Sequence, residues 1–199
     1  LNKKIRFDMA HAAIQYFSYA LAKQPYMGVG RNLAYVKELF NTNKGFSSHH
    51  HIISGDDDLF INKVATKKNT EIVISPDAFT YSPPKETREE WIEQKTRHMS
   101  TARYYRAKHK FWLALQPISH ILFWVTSLYL LATVFVYWYI VAAAFVLRWA
   151  LLRYTFGQSM NKLDEKDLKP YIEIYDIMQI GYYFRFAKAA LVKTKYRWD

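Results

Sequence analysis

Apolar and polar positions along the chain change their period twice. In residues 9–22, Ala10, Ala13, Ile14, Phe17 and Leu21 recur at helical spacing and share one face. Asp8 stands where an N-cap belongs, and Gln24-Pro25 ends the pattern, so an amphipathic helix is expected there. Residues 59–68 read as a second helix, with Asp56 or Asp57 as its cap. Residues 71–74 and 79–82 read as short strands flanking a Ser75-Pro76-Asp77 turn. Thr87 and Glu90 have the spacing of a capping box, which predicts a long helix running to about His109.

Beyond residue 110 the period gives way to continuous apolarity. Residues 117–147 contain no Asp, Glu, Lys or Arg, and from 111 to 156 the only charges are Arg148 and Arg153. A helix needs about 20 apolar residues to cross the hydrocarbon core of a membrane. The uncharged run is too long for one upright helix, and with its flanks it predicts two spans, residues 117–136 and 139–156. Tyr137, Trp138 and Tyr139 would form the connection, an aromatic group suited to an interface. Arg148 and Arg153 lie near the end of the second span, where arginines snorkel toward headgroups. Arg103, Arg106, Lys108 and Lys110 precede the first span, and Arg148, Arg153 and Lys162 follow the second, while the connection carries no charge. The positive-inside rule then places both flanks in the cytoplasm and the turn outside. A buried hairpin in a soluble protein is the alternative, but a chain this short could not cover both helices. Residues 171–187 are apolar and aromatic but carry Glu173, Asp176 and Arg185, which suits an interfacial or re-entrant helix better than a third full span. Three regions are expected: a mixed α/β part at 1–110, a transmembrane hairpin at 111–157, and a cytoplasmic or interfacial amphipathic tail at 158–199.

Composition adds exclusions. The 199 residues include 28 Lys and Arg against 17 Asp and Glu, a net charge of +11. Half the residues are apolar, which rules out a disordered chain. The absence of cysteine rules out disulfides, thiolate zinc sites and a cysteine nucleophile. The basic residues flank the apolar spans and recur in the tail as Arg185, Lys188, Lys193, Lys195 and Arg197. Attraction to anionic lipid accounts for that placement, whereas no nucleic-acid-binding motif is present.

Three short segments carry the candidate chemistry. In Tyr26-Met27-Gly28-Val29-Gly30-Arg31-Asn32, two glycines allow close approach of a backbone to a ligand, or simply a turn. In Gly55-Asp56-Asp57-Asp58-Leu59, three adjacent acids repel one another; a helix N-terminus would offset that, and a general base or a metal-binding carboxylate reads equally well from composition. His49 and His51 project to one side of an extended chain and, with the aspartates, raise a metal-dependent hydrolase as a further possibility. Gln94, Arg97 and His98 fall within one turn of the last helix of this part. An Arg and a Gln on one face suit an anionic ligand, and a solvated helix face is the plain alternative.

Taken in order, residues 25–35, Ser54–Leu59 and Glu90–His98, followed by an apolar hairpin, resemble the membrane-attached bacterial family 2 glycosyltransferases with a GT-A fold. The resemblance implies an α/β, Rossmann-like nucleotide-sugar transferase domain followed by α-helical transmembrane segments. It implies that Asp57 is the catalytic base, with Asp56 beside it. It implies that Gly28, Gly30, Arg31 and Asn32 contact the acceptor, that Asp58 and His98 lie at the substrate, and that Gln94 and Arg97 face the acceptor and the donor diphosphate. The expected partners are a nucleotide-sugar donor, a glycan or lipid acceptor and the cytoplasmic membrane, with no nucleic acid. His98 stands where the processive synthases of the family carry Trp, which points to single addition or short products. The family's nucleotide-binding first half, ending in a D-x-D motif that holds Mg or Mn, has no counterpart before Gly28. The chain is therefore expected to be the C-terminal part of a longer protein and inactive alone. The competing expectation is a catalytically inactive membrane adaptor.

Overall fold

Residues 1–52 and 54–191 are described by the computed structural model, and every regular element among them is helical. The expected α/β, Rossmann-like GT-A fold is thus overturned: no strand occurs among the described residues. Residues 71–74 and 79–82 show why. The backbone at Ser75 (φ −131°, ψ 140°) and Phe79 (φ −76°, ψ 134°) is extended, but a 3₁₀ turn, Pro76–Ala78, lies between them. A strand exists only through a ladder with a neighbour, and here side chains do the tying instead. Asn32 Nδ2 donates to the Ala78 carbonyl (2.8 Å) and Arg31 Nη1 to Ser82 Oγ (2.7 Å). Ile53 and the tail residues Lys193, Lys195 and Arg197 lie outside the described residues.

The described residues divide into two compact units, residues 1–110 with 186–191, and Phe111–Arg185. In the first, α1 (Asn2–Leu21) begins well before the expected start, and buries Ile5, Phe7 and Ala10. Asp8 is therefore an interior residue, not a cap, and its carboxylate pairs with Lys95 of α4 (Arg88–Thr101). Trp91 of α4 is buried; the Lys4 and Lys95 ammonium groups lie 5.4 and 5.8 Å from its ring, and the Phe186 ring meets it edge-on at 6.2 Å. Cations over an indole face are attracted by its quadrupole.

Between them, α2 (Lys37–Thr42) and α3 (Asp58–Val64) share a small aromatic core. Phe60 is fully buried, with the rings of Tyr35, Phe40 and Phe46 at 4.9, 5.6 and 6.0 Å and Ile61 and Val64 alongside. The helix stops at Val64, short of the expected Lys68, because Asn69 takes over its end: Oδ1 accepts from Thr66 N and Nδ2 donates to the Val64 carbonyl. The capping box of α4 forms as predicted, with Glu90 N donating to Thr87 Oγ1 and Thr87 N to Glu90 Oε2. The helix does not reach His109. It ends at Thr101, and a 3₁₀ turn and an extended Tyr105 precede α5 (Ala107–Thr133).

In the second unit, α5 runs into a 3₁₀ turn, Phe135–Tyr137, and returns as α6 (Trp138–Lys162). The turn comes slightly earlier than expected, so Trp138 and Tyr139 open α6 instead of forming the connection. Phe145 packs against Phe123 and Trp124 at 4.9 and 5.0 Å, while Leu122, Val125, Leu128, Val146 and Leu147 stay exposed. Both helical segments, Ala107–Thr133 and Phe135–Lys162, are long and apolar enough to cross a membrane. A 3₁₀ segment, Lys166–Tyr171, leads into α7 (Ile172–Leu191). Arg148 and Arg153 both find acidic partners toward the C-terminal end. Arg148 Nη2 bonds Asp176 Oδ1 at 2.7 Å and its guanidinium covers the Phe123 ring, while Arg153 forks onto Glu173. The Arg148 pair is mostly enclosed, whereas Arg153 keeps much of its side chain exposed beside Glu173.

Candidate active site

Asp57 is the N-cap of α3, and both of its carboxylate oxygens are engaged by backbone. Oδ1 accepts from Asp58 N and Oδ2 from Gly30 N, each at 2.7 Å. One carboxylate therefore joins two of the three sequence segments. A Cβ at Gly30 would come within 3.3 Å of Asp57 Oδ2, so the close approach that the paired glycines foretold is to this aspartate. The Gly30–Asn32 turn is itself fixed by the Arg31 and Asn32 bonds described above. At Gly28 a Cβ would crowd the Leu33 side chain, which gives that glycine a packing role.

Backbone geometry sorts the three adjacent acids. Gly55 is buried at φ +103°, a conformation that L side chains rarely adopt, and it turns the chain into α3. Asp56 is exposed, Asp57 half-buried and Asp58 buried. Asp58 Oδ2 accepts from Thr101 Oγ1 and from Tyr105 OH, the latter at 2.6 Å. Asp58 thus faces away from solvent and holds the end of α4. Burial pushes its pKa above 3.8; the two hydroxyl donors and the neighbouring Asp57 act on it less. A carboxyl whose folded pKa is raised binds its proton more tightly in the folded state, so its contribution to stability declines as pH rises from 3.8 through that folded value. Asp58→Asn keeps a carbonyl for both donors and removes the titration. Thermal unfolding across pH is expected to show the wild type losing stability relative to this variant as pH rises; parallel curves would contradict the assignment.

The third segment comes to the same place. The His98 imidazole is within electrostatic reach of Asp57, Arg31, Arg97 and Lys95. Protein crowds most of the ring while its outer edge meets solvent, and this desolvation, followed by Arg97, holds its pKa below 6.5 against the pull of Asp57. Arg97 is exposed, and among the described residues its guanidinium carries no hydrogen bond or ion pair. Gln94 is half-buried, one turn earlier on α4. An unengaged cation and an imidazole beside a fixed carboxylate form a surface suited to an anion and a hydroxyl.

The histidine run does not join this site. His49 is buried against Phe46 with Nδ1 at 3.0 Å from Ser48 Oγ, His50 bonds the Ser47 carbonyl, and His51 is exposed. Among the described residues no group of three His, Asp or Glu converges to hold a metal ion, so His49, His51 and the aspartates do not form the centre that the hydrolase reading needs.

Sequence reasoning missed Asn62. Its buried Nδ2 donates to the Tyr26 carbonyl (2.7 Å) and lies 2.9 Å from His109 Nδ1, and its Oδ1 accepts from Arg106 N (3.0 Å). The available signal was an asparagine inside the apolar run Leu59-Phe60-Ile61-Asn62, where a polar group needs partners. Asn62 and Asp58 together explain why α4 stops early. Tyr105 OH and Arg106 N reach them only if the chain leaves the helix at Tyr105.

Among known proteins, the sequence model of the glycosyl transferase family group 2 matches residues 4–154. No curated protein and no solved structure matches the chain. The family match begins in α1, takes in all three segments that meet around Asp57 and ends within α6. The chain belongs to the glycosyl transferase family group 2, and its chemistry is the transfer of a sugar from a donor to an acceptor.

Proposed function

We propose that the chain supplies the catalytic base and acceptor side of an inverting, single-addition transfer from a nucleotide-sugar donor to a lipid-linked or glycan acceptor. The reaction takes place at the cytosolic face of the cell membrane, to which α5 and α6 attach the protein. The observation that supports this best is the Asp57 carboxylate, fixed by Gly30 N and Asp58 N beside His98. An ionised carboxylate has about four lone-pair sites, so two remain for an acceptor hydroxyl. Asp57 takes that proton as the hydroxyl oxygen attacks the anomeric carbon. The bond to the diphosphate breaks on the opposite face, its electron pair leaves with the nucleoside diphosphate, and the anomeric configuration inverts. Arg97 stabilises the departing charge. His98 offers the acceptor a hydrogen-bonding edge where the processive enzymes offer a flat indole. Two candidate membrane helices likewise suit an anchor better than a polymer channel.

A second reading has support in the same geometry, since Asp57 caps α3 and an adaptor would keep it for that reason alone. Transfer of radiolabel from nucleotide sugars, measured in the whole polypeptide, separates the two. The adaptor predicts no transfer from any donor. Under the transferase reading, Arg97→Gln is expected to lower the rate about 100-fold, the scale of losing one charge-stabilising donor. Because the Arg97 guanidinium makes no hydrogen bond or ion pair among the described residues, thermal stability should be unchanged.

A further inference from the structure

The second unit contains a groove that the transfer reaction does not use. It has a volume of about 360 Å³ and lies between the last turns of α6 and the 3₁₀ segment that follows. Arg153, Tyr154, Gly157, Gln158, Asn161, Lys169 and Ile172 line it, and nothing lies within 4 Å of where a Cβ at Gly157 would stand. Arg153 is held in place by its fork onto Glu173, which engages Nε and Nη2 and leaves the Nη1 donors. Lys169 makes no ion pair among the described residues. The groove therefore presents a fixed guanidinium, an unengaged ammonium and two carboxamides, a donor set suited to a phosphate. The size is within the range of small-ligand sites.

The surface leading away from the groove narrows the choice. Leu147, Leu151, Tyr154 and Gln158 are spaced at i, i+4, i+7 and i+11, which places them on one face of α6. Leu147, Leu151 and Tyr154 are exposed, by 62%, 55% and 69%. An apolar track thus runs along the helix from the membrane-crossing stretch into a cationic, amide-lined groove. Free phosphate or a nucleotide would use only the groove, whereas an amphiphile would use both.

We infer that this groove binds an anionic phospholipid, its phosphate held by Arg153, Lys169 and the Gln158 and Asn161 amides and its acyl chain lying along Leu147, Leu151 and Tyr154. The inference rests on the membrane reading of α6 but not on the identity of the base, the donor or the acceptor. The site would keep one lipid at the junction where α6 leaves the bilayer.

The test is native mass spectrometry of the intact, delipidated polypeptide in detergent, titrated with dioctanoyl phosphatidylglycerol, dioctanoyl phosphatidylcholine or glycerol 3-phosphate. One phosphatidylglycerol adduct is expected, with phosphatidylcholine weaker and glycerol 3-phosphate unbound at the same concentration. Lys169→Glu and Leu151→Gln should each weaken the phosphatidylglycerol adduct about tenfold, equivalent to about 1.4 kcal/mol, and Lys169→Arg should retain it. Equal binding of phosphatidylcholine, tight binding of glycerol 3-phosphate, or no effect of either substitution would each overturn the proposal. Lys169→Ala replaces the glutamate variant if that one does not fold, with the same expected loss. A chain that stays in solution without detergent would sink the membrane reading instead, an outcome separate from all of these.

Discussion

Asp57→Asn is expected to lower the rate of sugar transfer by about 10²- to 10⁴-fold, the range that a positioned general base supplies, while leaving the fold in place. Asparagine separates the two roles of this residue. It is as good an N-cap as aspartate, so α3 should still begin at Asp58. Its side chain has one oxygen, so one of the bonds from Gly30 N and Asp58 N is lost, at a cost of about 1 kcal/mol. Its amide cannot take a proton from the acceptor. The measurement is radiolabel transfer in the whole polypeptide, alongside thermal unfolding of wild type and variant. Full activity in the variant would show that Asp57 is only a cap. A collapse of stability along with activity would leave the loss of rate attributable to the fold, and Asp56→Asn then serves as the comparison, since Asp56 is exposed and should tolerate the change in both measurements.

The largest effect on stability is expected at Asn62, a residue that touches no substrate. Its side chain is 3% exposed and joins three segments: the Tyr26 carbonyl, His109 Nδ1 and Arg106 N. Asn62→Leu keeps the branching of the side chain, is bulkier, and has an apolar surface that suits its neighbours Phe60 and Ile61. The gain in apolar burial is nevertheless outweighed. The Tyr26 carbonyl and His109 Nδ1 bonds are buried, and each group left without its hydrogen bond costs about 1–3 kcal/mol, so with a smaller share from the partly buried Arg106 N the loss is about 2 kcal/mol or more. That is a large share of the 5–15 kcal/mol that typically separates folded from unfolded. Chemical unfolding should show this loss, and a variant within about 1 kcal/mol of wild type would mean that water satisfies the three groups. Transfer activity should fall with it, because Asn62 fixes the start of α5 and the exit from α4, and α4 carries Arg97 and His98.

Local signals determined a good deal of this molecule. A helix through residues 9–21 (though not its true start at Asn2), the Thr87–Glu90 box, the capping aspartate and the paired apolar helices follow from periodicity, capping chemistry and the length of an uncharged run. All of these act within a few residues. The three candidate segments were also legible, because glycine pairs, acid clusters and an Arg-containing helix face are unusual enough to notice singly.

What only the tertiary structure decided depends on partners distant in the chain. Residues 71–74 have the β-branched composition of a strand but find no ladder, and a strand without a neighbour is only extended chain. Asp56, Asp57 and Asp58 are the same residue three times over, and composition and spacing could not rank them; only the family resemblance singled out Asp57. Gly55 turns the chain so that one acid faces water, one meets Gly30, and one is sealed against Thr101 and Tyr105. Asp8 looked like a cap until Lys95, far along the chain, proved to be its partner. Arg148 and Arg153 have no acid close in sequence, and α7 brings Asp176 and Glu173 to them. In each case the residue's role was set by a charge or donor that sequence spacing does not reveal, because the cost of burying a polar group is met by whatever partner the fold brings near.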